Sequence, residues 1–131
     1  MSKYAYPAVF SEDEGGYSVR FPDLSGCFTC GDDVADALGM AEDALASWLY
    51  EAEKEGDAFP TPTPIKEVPI GDDEFSTYVY ADTLEYRKFF ESRAVKKTLS
   101  VPQWLNETAL AAGVNFSQVL QDALKERLGV T

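Results

Sequence analysis

The sequence predicts an α+β protein of two modules: a β-β-β-α-β unit over residues 1–81 and a strand–helix–helix unit over residues 93–131, with a connector at 82–92. Three observations carry this reading. Period-2 alternation of apolar residues recurs through the first thirty residues, and a long stretch of helical spacing follows it. The sign of the charge then reverses near residue 93. Residues 1–92 hold six basic and twenty acidic residues, a charge of −14, whereas residues 93–131 hold five and three, a charge of +2. A chain with a net charge of −12 repels nucleic acid as a whole, so any such contact must come from the segment where the sign reverses.

The first strand spans residues 3–10, with Tyr4, Tyr6, Ala8 and Phe10 on one face; Pro7 points to an edge or a bulge. Residues 11–16, polar and ending Gly15-Gly16, form a turn. Tyr17, Val19 and Phe21 then alternate with Ser18 and Arg20, which completes a hairpin. A second turn at Pro22–Gly26 leads to a short strand around Cys27 and Cys30. Asp32 or Asp33 caps the strongest helix of the chain, whose stripe is Val34, Leu38, Ala41, Leu45, Trp48, Leu49 and Ala52, and Gly56 stops it. Pro60, Pro62, Pro64 and Pro69 keep the next segment extended. Residues 74–81, rich in aromatic and β-branched side chains, form the fourth strand. Leu84, Phe89 and Phe90 give the connector helical spacing and a side to dock.

In the last module, Val95, Leu99 and Val101 share one face of a strand, and Lys96, Thr98 and Ser100 share the other. Lys97 falls where the inward face would prefer an apolar residue, and a lysine there snorkels toward a phosphate. Pro102 ends the strand and suits the first turn of a helix over 102–112 that offers Trp104, Leu105, Thr108 and Ala109 for burial. Gly113 fits a left-handed helix end. Asn115 and Gln118 match a capping box for a last helix reaching Leu128, closed by Gly129.

Aromatic content of 13% and hydrophobic content of 45% argue for a folded chain despite its charge. No apolar run is long enough to cross a bilayer, and residues 1–7 lack the apolar stretch of a signal peptide, so a cytoplasmic protein is expected. Cys27 and Cys30 form a single C-x-x-C; a zinc site needs two more ligands and the chain has no histidine, so both read as ordinary strand cysteines. No metal or cofactor is expected. A two-metal nuclease site needs carboxylates converging from strand centres, but Glu12, Asp13, Glu14 and Asp72, Asp73, Glu74 fall in loops or at a strand's first residue. No catalytic residue is assigned.

A lone strand with two helices is too short to bury a core and leaves both strand edges unpaired. Two copies that pair their strands antiparallel and interlock their helices remove both problems. This order over residues 94–128 resembles the ribbon-helix-helix DNA-binding family. The resemblance implies an obligate dimer, or a higher even oligomer, whose two-stranded ribbon enters the major groove. It assigns base contacts to Lys96, Thr98 and Ser100, and a phosphate held by backbone amides to Asn115, Phe116 and Ser117.

The run from Gly16 to Asp32, GYSVRFPDLSGCFTCGD, followed by a helix with Ala37-Leu38 and Ala41-Glu42-Asp43-Ala44-Leu45, resembles the HicB antitoxin family. That resemblance covers residues 3–81. It implies a partial ribonuclease-H-like fold in this region, a C-terminal DNA-binding module, neutralisation of a small HicA-type mRNA-cleaving toxin, and repression of the shared operon. A toxin that grips RNA is basic, and the acidic first module would be steered to it and cover its RNA-binding face. Two rival readings differ in class. One is a stand-alone transcription regulator whose first module senses a small ligand; the other is a degenerate hydrolase. The first of these keeps the ribbon-helix-helix module as its DNA reader; a separate, bland reading makes the lysines at 96 and 97 the solubilising charges of an edge strand and leaves the charge reversal unexplained.

Overall fold

The computed structural model describes residues 2–131, which divide into two compact units, Met1–Arg93 and Ala94–Thr131. The first contains strands β1 (Lys3–Asp13), β2 (Gly16–Arg20), β3 (Phe28–Gly31) and β4 (Glu74–Asp82), with helices α1 (Val34–Glu55) and α2 (Thr83–Phe90). The strands form one antiparallel sheet in the order β3-β2-β1-β4. The second unit holds helices α3 (Gln103–Ala111) and α4 (Phe116–Leu128).

β2 and β4 alternate buried and exposed residues, whereas β1, inside the sheet, is buried on both faces from Tyr6 to Phe10. Tyr6, Ala8 and Phe10 of β1, Val19 of β2, and Val79 and Ala81 of β4 face α1 and join Ala37, Ala41, Leu45 and Leu49 in one core. Leu45 and Leu49 are fully buried, and each contributes roughly 1.5–3 kcal/mol by leaving water. The buried face of α1 begins at Ala37, not at Val34 or Leu38, which stay exposed and so depart from the expected stripe. The cause is steric: a Cβ on Gly31 would lie 2.4 Å from the Ala37 nitrogen, so strand and helix meet backbone to backbone there. Asp33 caps α1 by accepting from the Asp36 N–H, and the Asp36 carboxylate accepts from the Asp32 N–H in return, both at 2.8 Å.

Two further expectations are refined. The hairpin turn is only Glu14-Gly15, with Gly15 at φ 75°, so Ser11, Glu12 and Asp13 belong to β1. Pro7 lies in an inner strand rather than at an edge. The β1–β2 ladder starts at Val9, however, so β1 has a strand partner at residue 7 on the β4 side alone. The Pro-rich segment holds to this end of the sheet through single bonds. Tyr6 donates to the Pro60 carbonyl, Thr63 donates twice to the Asp23 carboxylate, and the Ile65 N–H donates to the Tyr78 hydroxyl.

Residues 82–92 pack with the first unit. Glu53 of α1 is the hub: its carboxylate accepts from Tyr4, Thr83 and Arg87. The docked side of α2 is therefore Thr83, Tyr86 and Arg87. Phe89 and Phe90 meet edge to face and stay exposed, so the side expected from apolar spacing is not the side that docks.

Candidate partner and nucleic-acid interfaces

The first unit displays its acids almost unneutralised. Among the described residues only Glu53, Glu74, Glu85 and Glu91 enter ion pairs. On the sheet face away from α1, Glu74 accepts from Arg20 (2.6 Å), from the Ser11 hydroxyl (2.6 Å) and from the Gly71 N–H (2.8 Å). The Arg20 guanidinium, then the other two donors, hold this carboxyl well below the usual range, at about 2. No local motif foretold this cluster or the Glu53 hub, because their side-chain partners lie 30 to 63 residues apart and only the strand register and the seat of α1 on the sheet bring them together.

Cys27 and Cys30 sit on opposite faces of the sheet. Cys27 is buried and donates to the Ala44 carbonyl, and burial pushes its thiol up to about 11, while Cys30 is exposed. They are not a pair that could hold one metal or one disulfide. Among the described residues, no group of three or more His, Cys, Asp or Glu side chains is placed to hold a metal ion. No helix of these residues is long and apolar enough to cross a membrane.

The second unit buries no side chain at all. Val95, Trp104 and Leu128 are 80%, 67% and 70% exposed, and Leu99, Leu110, Val119 and Leu124 are exposed with them. Residues 93–102 take no strand ladder, since a strand needs a neighbour and this one has none within its own chain. The sequence-expected residues nevertheless come together along α4. Lys96, Lys97, Thr98 and Ser117 line one groove of about 640 Å³. Lys97, Leu99, Val101, Phe116 and Ser117 line another of about 510 Å³ with Val119, Leu120 and Ala123. Lys97 thus shares the apolar side with Leu99 and Val101. Ser100 and Asn115 line neither groove.

The start of α4 leaves two backbone donors open. The first intrahelical bond runs from the Val119 N–H to the Asn115 carbonyl, and the Asn115 side chain takes the Gln118 N–H at 3.0 Å. The N–H groups of Phe116 and Ser117 therefore have no partner inside the helix. Asn115 spends its side chain on the cap, and only half of the expected reciprocal box forms, because Gln118 turns its amide to Asp122.

Comparison with known proteins places the chain. A family model described as "HicB_like antitoxin of bacterial toxin-antitoxin system" matches residues 6–124. "Antitoxin HicB 2" of Photorhabdus laumondii is 42% identical over 67 residues, which is 48% of this chain and 46% of that one, so the match spans about half of that relative. In solved structures, a chain of a toxin–antitoxin complex from Streptococcus pneumoniae superimposes with a TM-score of 0.63 at 27% identity, covering 95% of this chain and 99% of that one. A chain of a "HicA3 and HicB3 toxin-antitoxin complex" gives 0.51 at 28% identity, covering 60% and 99%. The family is one of antitoxins rather than of enzymes. With a mixed α+β fold of four antiparallel strands and four helices like theirs, and a family match over most of its length, this chain belongs to the HicB-like antitoxins of bacterial toxin–antitoxin systems.

Proposed function

We propose that the chain neutralises a small basic toxin of the HicA type through its first unit, and pairs with a second copy and binds operator DNA through its second. The observation that carries this reading is the coincidence of two boundaries. The compact units divide at residues 93 and 94, and the charge changes from −14 over residues 1–92 to +2 over the rest. An acidic unit with its own core suits a cationic, RNA-gripping partner and repels DNA. A coreless unit with lysines over open helix amides suits a dimeric DNA reader. In this reading Lys96, Thr98 and Ser100 face base edges, the Phe116 and Ser117 amides hold a phosphate, and Leu99, Val101, Val119 and Leu120 fill the core shared by two copies. The β1-β2-β3-α1-β4 order, with one sheet face covered by α1, supports reading the first unit as the partial ribonuclease-H-like domain that the resemblance implies.

The test is to co-produce the chain with the small protein encoded beside its gene, and separately to titrate it against DNA upstream of that gene pair. Co-purification with the neighbour and a salt-sensitive, sequence-selective gel shift are expected. Purified chain that binds neither partner removes the proposal.

A further inference from the structure

β4 is an outer strand of the sheet, touched by the Pro-rich segment through the Ile65 N–H on the Tyr78 hydroxyl, and no charge or proline blunts its edge. Between Phe75 and Ala81 there is no charge, proline or glycine, and its pairing with β1 runs unbroken from Lys3↔Asp82 to Ser11↔Glu74 without a bulge. Edges of this kind are templates for another strand. Two bonds show which way the backbone points: the Glu12 N–H reaches the Asp73 carbonyl, and the Thr83 N–H reaches the Ser2 carbonyl. Even residues of β1 and odd residues of β4 therefore face each other, and Ser76, Tyr78 and Tyr80 turn their N–H and carbonyl groups outward. Among the described residues none of these three N–H groups meets an acceptor. The rings of Tyr78 and Tyr80, 48% and 53% exposed, stand along the same edge. Acids bracket it, Asp72 and Asp73 at one end and Asp82 and Glu85 at the other.

We propose that this edge receives an extended strand of a cationic protein. Resting on the function proposed above, that protein is the toxin. Main-chain bonds to Ser76, Tyr78 and Tyr80 hold the strand, the two tyrosine rings pack on its side chains, and the acids at both ends meet basic residues flanking it. A second copy fits poorly. Two β4 strands paired about Tyr78 would set Glu74 opposite Asp82 at both ends, between units that each carry −13.

Amide exchange resolved by NMR tests this on the full chain, alone and bound to the inactivated toxin encoded beside its gene. The amides of Ser76, Tyr78 and Tyr80 should exchange at least about tenfold more slowly in the complex. If the complex forms and these amides exchange as in the free chain, the edge is vacant and the proposal falls while the toxin reading stands. If no complex forms, both fall together. Protection already present in the free chain and lost on dilution gives the edge to a second copy and overturns the proposal. As a variant test, Tyr80→Pro removes one outward donor without touching the β1 ladder, and should weaken toxin binding at least about tenfold, whereas Tyr80→Phe should bind as the wild type does. Equal binding by both variants contradicts the proposal, and the exchange result decides it independently if the proline variant does not fold.

Discussion

The two units of this chain are made of similar residues but solve the burial problem differently. In the first, a sheet and a 22-residue helix enclose Phe10, Val19, Leu24, Leu45 and Leu49 completely or nearly so. In the second, α4 is capped at both ends and α3 stops at a left-handed Gly113, yet no residue is fully buried and its leucines, valines and Trp104 face outward. Good local structure is therefore not the same as a fold. Capping sets where a helix starts and stops, at about 1 kcal/mol per cap, but only covered apolar surface overcomes the entropy of ordering the chain. The first unit supplies that cover itself. The second must obtain it from another molecule.

The contrast can be broken most severely at Leu99. Leu99→Asp would place an unpaired carboxylate in the core shared by two copies, and should turn a dimer into a monomer while leaving the first unit folded. Sedimentation at micromolar concentration reads this directly, and a wild-type chain that is already monomeric would undo the shared-core argument. The mirror experiment is Leu45→Ala. A cavity beneath α1 should cost about 2–5 kcal/mol in urea unfolding of the first unit, without changing self-association. A loss of dimer in that variant would mean that the units are not independent.

Smaller effects sharpen the roles within the second unit. Lys96→Ala should weaken operator binding by about 1–3 kcal/mol if its ammonium reads a base edge. Lys97→Ala should instead weaken operator and random DNA alike and lower the salt slope by ~1. Gel-shift titrations at two salt concentrations separate these outcomes, and unchanged binding by both variants would remove this segment as the DNA reader. The mildest test lies in the first unit. Glu74 has its carboxyl lowered from 4.5 to about 2, so its ion pair and hydrogen bonds stabilise the fold fully above pH 4.5. That contribution fades as pH falls toward 2, when the folded carboxylate also takes its proton. Unfolding measured across this window should be less pH-dependent in Glu74→Gln, and identical curves would discount the Arg20–Ser11–Glu74 cluster.

What was legible in the sequence was whatever is encoded over a few residues. Asp33 and Asn115 as caps, Gly56, Gly113 and Gly129 as left-handed helix ends, and the alternation of β2 all stand where local chemistry puts them. The antitoxin family was legible too, from the turn-rich run at residues 16–32 and the helix after it. Contacts set by topology were not. Glu53 and Glu74 look like ordinary surface acids until β4 pairs with β1, and Val34 looks like a core residue until Gly31 fixes how closely the helix meets the sheet. Phe89 and Phe90 misled for a related reason: apolar spacing marks a face without saying what, if anything, covers it. Lys96, Thr98 and Ser100 were nominated as base contacts by laying the ribbon-helix-helix resemblance over the alternation of residues 95–101.

The coreless second unit has a consequence for dose. On the proposed function, a chain that pairs to fold its DNA-binding unit would reach the operator in proportion to the square of its concentration at low abundance, whereas its acidic unit, complete in each chain, would act in simple proportion. In the proposed function, a cell whose supply of this chain is halved would lose about three quarters of its repression but only half of its neutralising capacity. The operon would reopen while half of the protection is still in place, and the responsiveness of the circuit would follow from thirty-eight residues with no core of their own.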